Sequence, residues 1–182
     1  VAVGEYGKIL TSSDNGTTWT SITSGSSKTL RGVCHGNNTF VVTGDTGTIL
    51  TSSNSGSDWD NRTSGTTGDL EGGCVYGNNL FVAVGESSGG GSISSIFTSE
   101  DGITWTNRSS PISQSMEEVS YGNSLFVAVG AAGKMQTSSD GITWTERNSQ
   151  IPTTAVIYAV TYGNNIFVAL GSNLEGSTSS DG

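Results

Sequence analysis

The sequence predicts an all-β fold built from a repeated unit of four short strands. Three observations support this prediction. A short apolar segment ending in glycine recurs about every 40 residues, a tryptophan recurs at a similar interval, and no stretch has the period of an amphipathic helix. The glycines that end the apolar segment are spaced by 40, 41, 45 and 41 residues, at Gly4, Gly44, Gly85, Gly130 and Gly171.

One complete unit contains four strand signals separated by turn signals. In the second unit, strand A is LRGVCHG from Leu30 and strand B is TFVVTG from Thr39. Strand C is TILTSS from Thr48 and strand D is DWDNRT from Asp58. Each run is rich in apolar or β-branched residues and is bounded by Gly, Asn or Asp. Four antiparallel strands in about 40 residues predict the blade of a β-propeller.

The units divide the chain into five predicted blades of one domain, 1–182. The first and last blades are partial, so the segment covers roughly 4.5 blades of a propeller that we expect to be longer. An insertion at 86–95 lengthens the loop between strands B and C of the third blade. The predicted blades are 1–24, 25–64, 65–110, 111–150 and 151–182.

A polar turn joins strand C to strand D in each blade. Its copies begin TSSDNGTTWT at Thr11, TSSNSGSDWD at Thr51, TSEDGITWT at Thr98 and TSSDGITWT at Thr137. The pattern resembles the Asp-box, or BNR repeat, of sialidase-like propellers, and it is also similar to repeats of photosystem II assembly factors. The residues that carry the resemblance are Ser12, Asp14, Gly16, Trp19, Asn54, Gly56, Trp59, Asp101, Gly102, Trp105, Asp140, Gly141 and Trp144. The third and fourth copies are one residue shorter than the strict pattern.

These turn residues are predicted to be structural rather than catalytic. An Asp side chain can accept hydrogen bonds from backbone N–H groups that follow it, which closes a tight turn. Gly adopts backbone conformations that other residues resist, and Trp can bury a large ring beside the turn. We therefore expect each tryptophan to be largely buried next to its own turn.

Strand direction places the B–C and D–A loops on one face of the propeller, the face on which propellers usually carry a ligand site. We call it the loop face. The predicted ligand-binding residues on it are Glu5, Arg31, Asp45, Glu86, Glu117 and Tyr158. Carboxylates dominate this set, so the sequence predicts an acidic loop face, which is either a recognition surface or a set of ordinary solvated loops in an acidic chain.

The composition and the motifs argue against nucleic-acid binding, membrane insertion and a bound metal or cofactor. A net charge of −9 with only seven Lys and Arg is a poor match for nucleic acid. No run of 18 apolar residues occurs, so no membrane insertion is predicted. There is no CxxC motif and no His, Cys and Asp cluster with metal-ligand spacing, so we predict neither a metal nor a cofactor.

The sequence favours a non-enzymatic binding or structural module that is extracellular or displayed on a cell or virion surface. Glycan is the first ligand class to test, because polar and aromatic rims suit sugar hydroxyls. One alternative is a glycoside hydrolase of the sialidase type, and another is an assembly-factor propeller that docks on a protein. Association through open propeller edges, or through further blades of a longer chain, is also expected.

The arginines argue against a sialidase. By the resemblance, such an enzyme needs a cluster of arginines for a substrate carboxylate. Arg62, Arg108 and Arg147 each follow a blade tryptophan by three residues, so they are repeat positions.

Two cysteines occupy strand A of successive blades. Aligned on the following GNN turn, Cys34 and Cys74 point to opposite faces of their blades, so they could meet across one interface. Two buried free thiols remain the outcome that the sequence favours.

Overall fold

The computed structural model describes residues 1–86, 94–172 and 176–179. Most of the predicted insertion at 86–95 lies outside the described residues, and so does the part of the last polar turn that follows Ser179. None of the helical segments in the described ranges has the length and apolar character needed to cross a membrane.

Eighteen strands form five antiparallel sheets in the described part of the chain. Sheet 1 contains β1 (Ala2–Val3), β2 (Lys8–Thr11) and β3 (Thr20–Thr23). Sheet 2 contains β4 (Leu30–Gly36), β5 (Thr39–Gly44), β6 (Thr48–Ser52) and β7 (Asp60–Arg62). Sheet 3 contains β8 (Cys74–Gly77), β9 (Leu80–Glu86), β10 (Ser94–Ser99) and β11 (Thr106–Arg108). Sheet 4 contains β12 (Met116–Gly122), β13 (Leu125–Gly130), β14 (Met135–Ser138) and β15 (Thr145–Arg147). Sheet 5 contains β16 (Ile157–Gly163), β17 (Ile166–Gly171) and β18 (Gly176–Ser179).

Within each sheet the strands are hydrogen-bonded in the order in which they occur in the chain. The all-β prediction is therefore confirmed, with strands A to D as neighbours. Helical structure among the described elements is confined to short 3₁₀ turns in the B–C loops, at Glu5–Gly7, Asp45–Gly47 and Ala131–Gly133. The central residue of each turn is left-handed, with φ near 55° at Tyr6, Thr46 and Ala132.

The core lies between the sheets, because strand B serves two interfaces at once. In β9, Leu80, Val82 and Val84 belong to the buried cluster shared with sheet 4. The alternate residues Phe81 and Ala83 belong to the cluster shared with sheet 2. Successive side chains of a strand point to opposite faces, so one apolar run fills both interfaces, and a continuous apolar segment is what the sequence shows here.

The A strands of neighbouring sheets lie in contact, so the sheets converge on this strand. Their spacing is set by a glycine in one strand and a tyrosine in the next. A Cβ on Gly77 would collide with the ring of Tyr121, and a Cβ on Gly122 would collide with the ring of Tyr162. Glycine is required at these positions by the close approach of the neighbouring ring.

The prediction of two free thiols is wrong. Cys34 of β4 and Cys74 of β8 form a disulfide across the interface of sheets 2 and 3, with a Cα–Cα distance of 5.7 Å. The two inner strands approach closely here because glycines face each other. A Cβ placed on Gly32 would lie only 2.5 Å from the Cα atom of Gly73, which is a clash, so glycine permits this approach. The bond therefore joins successive sheets at their innermost strands.

The C–D turns close by the predicted hydrogen bonds. Asp14 Oδ1 accepts the backbone N–H of Thr18 at 2.9 Å, and Asp140 Oδ1 accepts that of Thr143 at 2.7 Å. Asn54 performs the same function in the second turn, where its Oδ1 accepts the N–H of Asp58 at 3.1 Å. The shorter turns thus keep the bonding of the longer ones, because the bond shifts from the fourth following residue to the third.

The expectation that every turn tryptophan is largely buried holds for one of the four. Trp144 is 7% exposed, Trp59 and Trp105 are partly buried, and Trp19 is 47% exposed. The turns of sheets 2, 3 and 4 pack on the preceding sheet, as Gly141 does beside Leu80. Trp19 belongs to sheet 1, and a Cβ placed on Gly16 of its turn would meet only the Trp19 ring within 4 Å. Burial of the ring is therefore a contribution of the neighbouring sheet.

Candidate functional site

Backbone hydrogen bonds between successive sheets build the loop face. The N–H of Asp45, in the B–C loop of sheet 2, donates to Thr29 O at 2.9 Å in the loop that enters the same sheet. The N–H of Leu70, in the loop that enters sheet 3, donates to Gly44 O at 3.1 Å. Each D–A loop is therefore tied to a B–C loop, and the side chains on this face project from a braced backbone.

Arg31 lies at the centre of an ion-pair group on this face. Its Nε donates to Asp45 Oδ1 at 2.7 Å, and its guanidinium lies 3.7 Å from a carboxylate oxygen of Glu71. Asp69 accepts the backbone N–H of Thr46 at 2.7 Å, which fixes its carboxylate near the same loop. Sheets 2 and 3 thus contribute to one charged group.

The three carboxylates of this group are closely spaced. One oxygen each of Asp45, Asp69 and Glu71 lies within 4.8 Å of the others, a spacing at which carboxylates can surround a cation. The Arg31 guanidinium already supplies a positive charge to this group. The side chains of Arg31, Asp45 and Glu71 remain partly exposed, so the group is reached from solvent.

Two further carboxylates extend the negative charge toward sheet 4. Burial raises the pKa of Glu117, and the negative charge of Glu71 raises it further. Burial also raises the pKa of Glu86, with added contributions from the charges of Asp69 and Glu71. Both effects disfavour the ionised form. The carboxylates on this face therefore repel one another electrostatically.

The structure brings together four of the six predicted ligand-binding residues, Arg31, Asp45, Glu86 and Glu117, around this group. Glu5 is exposed in the 3₁₀ turn of sheet 1, and Tyr158 is 58% exposed in β16. Neither contributes to the interactions that define the group. Asp69 and Glu71 complete the group and were not among the six predicted residues. Asp69 lies in a loop that varies between repeats.

Solved structures similar to this chain are β-propellers or complexes that contain one. YCF48 bound to D1 peptide superposes with a TM-score of 0.69 and 17% identity over 97% of this chain and 60% of that one. YCF48 from Cyanidioschyzon merolae gives a TM-score of 0.67 and 16% identity over 97% and 64% of the two chains. The WD40 propeller domain of Doa1 gives 0.65 and 11% over 94% and 57%.

The chain is part of a β-propeller. Its five sheets are successive blades, and it spans about 60% of the length of the first propellers it resembles. A nidogen/laminin complex is also similar, with a TM-score of 0.64 and 15% identity over 91% and 64% of the chains. No protein-family model matches the sequence, and no curated protein matches it significantly.

The opposite face of the propeller is formed by A–B turns and C–D turns whose polar groups serve the turns themselves. Hydrogen bonds from Thr18 and Ser12 lower the pKa of Asp14 to about 2. Backbone N–H groups of Thr143 and Ile142 lower the pKa of Asp140 to about 2. Such a carboxylate has a lower pKa in the folded state than in the unfolded state, so it stabilises the fold at pH values above its unfolded pKa. This contribution is lost as the pH falls through the folded pKa.

The blade arginines are structural as well. The Nε of Arg62, Arg108 and Arg147 donates to the strand-C threonine of the same blade, each at 2.8 Å. These threonines are Thr51, Thr98 and Thr137. The three guanidinium groups are therefore distributed over three blades, and they do not converge on the loop face.

Proposed function

We propose that this chain is part of a non-enzymatic propeller of the Asp-box type that docks on a protein partner through its loop face. The observation that carries the proposal is the construction of that face. Loops from successive blades are tied together by backbone hydrogen bonds and present side chains on a rigid base. Rigid loops reduce the ordering cost of association, which favours binding of an extended segment.

The fold relationships support a protein partner more than a glycan. One similar propeller is YCF48 bound to a D1 peptide, and another belongs to a nidogen/laminin complex. At 15–17% identity these relationships concern the fold, so the partner of this chain has to be identified from its own surface. That surface carries Asp45, Asp69 and Glu71 with a single balancing arginine. Complementary charge favours a partner segment rich in Lys and Arg.

We also propose an extracellular or surface location. The Cys34–Cys74 disulfide supports it, because such bonds persist in oxidising compartments and are rare in the cytosol. The test is alkylation of the protein under denaturing conditions straight after extraction from its natural source. Two unmodified cysteines without reductant, and two modified cysteines after reduction, agree with this location. Two thiols modified without reductant would contradict it.

Docking on the loop face is tested with a matched pair of charge-reversal variants. Glu71→Lys alters the Arg31 group, whereas Glu100→Lys makes the same change in net charge in the C–D turn of the third blade, on the opposite face. A peptide array that includes Lys- and Arg-rich sequences identifies a ligand, and titration measures its Kd. We expect about 10-fold weaker binding for Glu71→Lys, little change for Glu100→Lys, and affinity that falls with added salt.

Three outcomes would count against the proposal. Equal weakening by both variants would show an unspecific response to net charge. Binding on a glycan array, with no peptide bound, would favour the glycan-binding module instead. Hydrolysis of a glycoside substrate would contradict the non-enzymatic assignment and favour the glycoside hydrolase.

A further inference from the structure

The charged group around Arg31 is assembled across the interface between the second and third blades. Arg31 and Glu71 each follow the leucine that leads into strand A of their blade. The Arg31 guanidinium lies 3.7 Å from the Glu71 carboxylate, so this ion pair joins the two blades. Asp69 of the third blade also accepts the backbone N–H of Thr46 in the second. The geometry of the group therefore depends on how closely these two blades approach.

Glycines set this approach at the inner strands. Gly73 has a φ of 68°, a left-handed conformation that favours glycine. Its Cα lies where a Cβ on Gly32 would clash, so the contact requires glycine in both strands. The position equivalent to Gly32 in the fourth blade is Glu118, as the pairing with strand B shows. The glycine contact is therefore a feature of this interface and not of every repeat.

The disulfide takes the place of a valine pair. Cys34 has the same register against strand B as Val75 of the third blade. Cys74 has the same register as Val119 of the fourth blade. Val119 belongs to the buried cluster between the third and fourth blades, and Val75 packs against that cluster. The chain has only two cysteines, so the covalent bond is specific to the interface that carries the Arg31 ion pair.

We propose that the Cys34–Cys74 disulfide positions the charged group around Arg31 and makes docking on the loop face depend on oxidation. The regulation rests on the proposed docking function, whereas the positioning does not. Two separate thiols need more room between the strands than one disulfide does. Loss of the bond therefore lets the inner strands separate beside Gly32 and Gly73, which draws Glu71 away from the second blade.

The oxidation is a thiol–disulfide exchange. The two thiols lose two protons and two electrons in forming one S–S bond, and a small-molecule disulfide accepts them and leaves as two thiols. A chain that reaches an oxidising compartment thus acquires its docking geometry there, because disulfides persist in such compartments.

A double-valine variant separates the bond from the packing. Cys34→Val combined with Cys74→Val gives this interface the valine chemistry of the next one, so it removes the covalent bond and keeps apolar side chains in place. The wild-type chain treated with reductant is the second form without the bond. The untreated wild-type chain is the reference.

Hydrogen exchange tests the positioning without any ligand. The Leu70 N–H donates to Gly44 O at 3.1 Å across the interface that the disulfide joins. The Leu30 N–H is the matched control, because it donates to Gly4 O at 3.0 Å between the first and second blades, which no disulfide joins. We expect loss of the bond to lower the protection of Leu70 about 10-fold more than that of Leu30, because local opening exposes one amide and global unfolding exposes both. An equal change at both amides would overturn the positioning.

The redox dependence is tested with a fluorescein-labelled tetra-arginine peptide, titrated by fluorescence anisotropy. We expect the reduced chain and the double-valine variant to bind it about 5-fold more weakly than the oxidised chain, because separated carboxylates are less complementary to one cationic segment. Reoxidation with oxidised glutathione should restore the affinity of the wild-type chain and leave the variant unchanged. Equal binding by the oxidised and reduced chains would overturn the redox dependence.

Failure of this proposal is distinguishable from failure of the docking function. A Kd that Glu71→Lys raises and reduction leaves unchanged supports docking on the loop face and overturns its dependence on oxidation. If no form binds the peptide, docking of a basic segment is overturned together with its redox dependence. Hydrogen exchange at Leu70 and Leu30 still decides whether the disulfide positions the group.

Discussion

The burial of Trp144 provides a quantitative test of how the blades hold together. Its ring is 7% exposed, packs against Phe126 with a centroid distance of 6.4 Å and donates a hydrogen bond to Gly141 O. A buried tryptophan removes roughly 200 Å² from water, which corresponds to about 5 kcal/mol at 25 cal/mol per Å² as an upper value. Large aromatic residues replaced by alanine in cores usually cost about 3–5 kcal/mol.

We therefore expect Trp144→Ala to lower the free energy of unfolding by about 4 kcal/mol. For a chain of this length that corresponds to a fall in Tm of roughly 8–16 °C. Trp19→Ala is the matched control, because this ring makes the same hydrogen bond to its own turn but is 47% exposed. The loss of unfolding free energy in Trp19→Ala should be about half of that in Trp144→Ala, or less. Urea unfolding followed by circular dichroism measures both values.

A result in which Trp19→Ala costs as much as Trp144→Ala would refute the reasoning. It would show that the indole stabilises its own turn and not the interface with the preceding blade. Trp144→Phe separates the two contributions further. It keeps most of the apolar contact and removes the hydrogen bond to Gly141 O, so it should cost about 1 kcal/mol beyond the small change in packing.

Three further predictions follow from the blade interfaces and the loop face. Replacing both Cys34 and Cys74 by alanine should lower the free energy of unfolding by about 4 kcal/mol, the loop-entropy value for a closed loop of this length, as measured by urea unfolding without reductant. Gly122→Ala should cost about 1–3 kcal/mol because its Cβ meets the tyrosine ring of the next blade, whereas Gly163→Ala, which has open space, should be neutral in the same assay. Glu117→Gln should stabilise the protein more at pH 7 than at pH 4. The pKa of Glu117 is raised in the folded state, so its protonated carboxyl stabilises the fold at low pH. This contribution is lost as the pH rises through the folded pKa, whereas the neutral glutamine has no such loss.

The repeat pattern was sufficient to predict the strands and their order. Strand A of the second blade was predicted to begin at Leu30 and strand B at Thr39, and both start there in the structure. Local signals decide these positions, because glycine and asparagine turns bound short β-branched runs. The D strands are shorter than predicted, with β7 limited to Asp60–Arg62, since a polar edge strand has few contacts to extend it.

The candidate site was predicted in part. The periodicity placed Arg31, Asp45, Glu86 and Glu117 on one face, because the direction of each strand follows from the number of turns before it. Asp69 was missed, because a loop residue outside the repeat carries no periodic signal. The ion pair between Arg31 and Asp45 depends on how loops of one blade fold toward each other, and spacing alone does not provide that distance.

The sequence by itself determined the all-β class, the length of the repeat and the turn chemistry, because these depend on residues within a few positions of one another. Tertiary structure decided the disulfide between Cys34 and Cys74 and the different burial of Trp19 and Trp144. Each of these features depends on the contact between two blades, where residues 40 or more positions apart meet. In a chain of nearly identical repeats, the local pattern is the same in every copy, and only the neighbouring blade makes the copies differ.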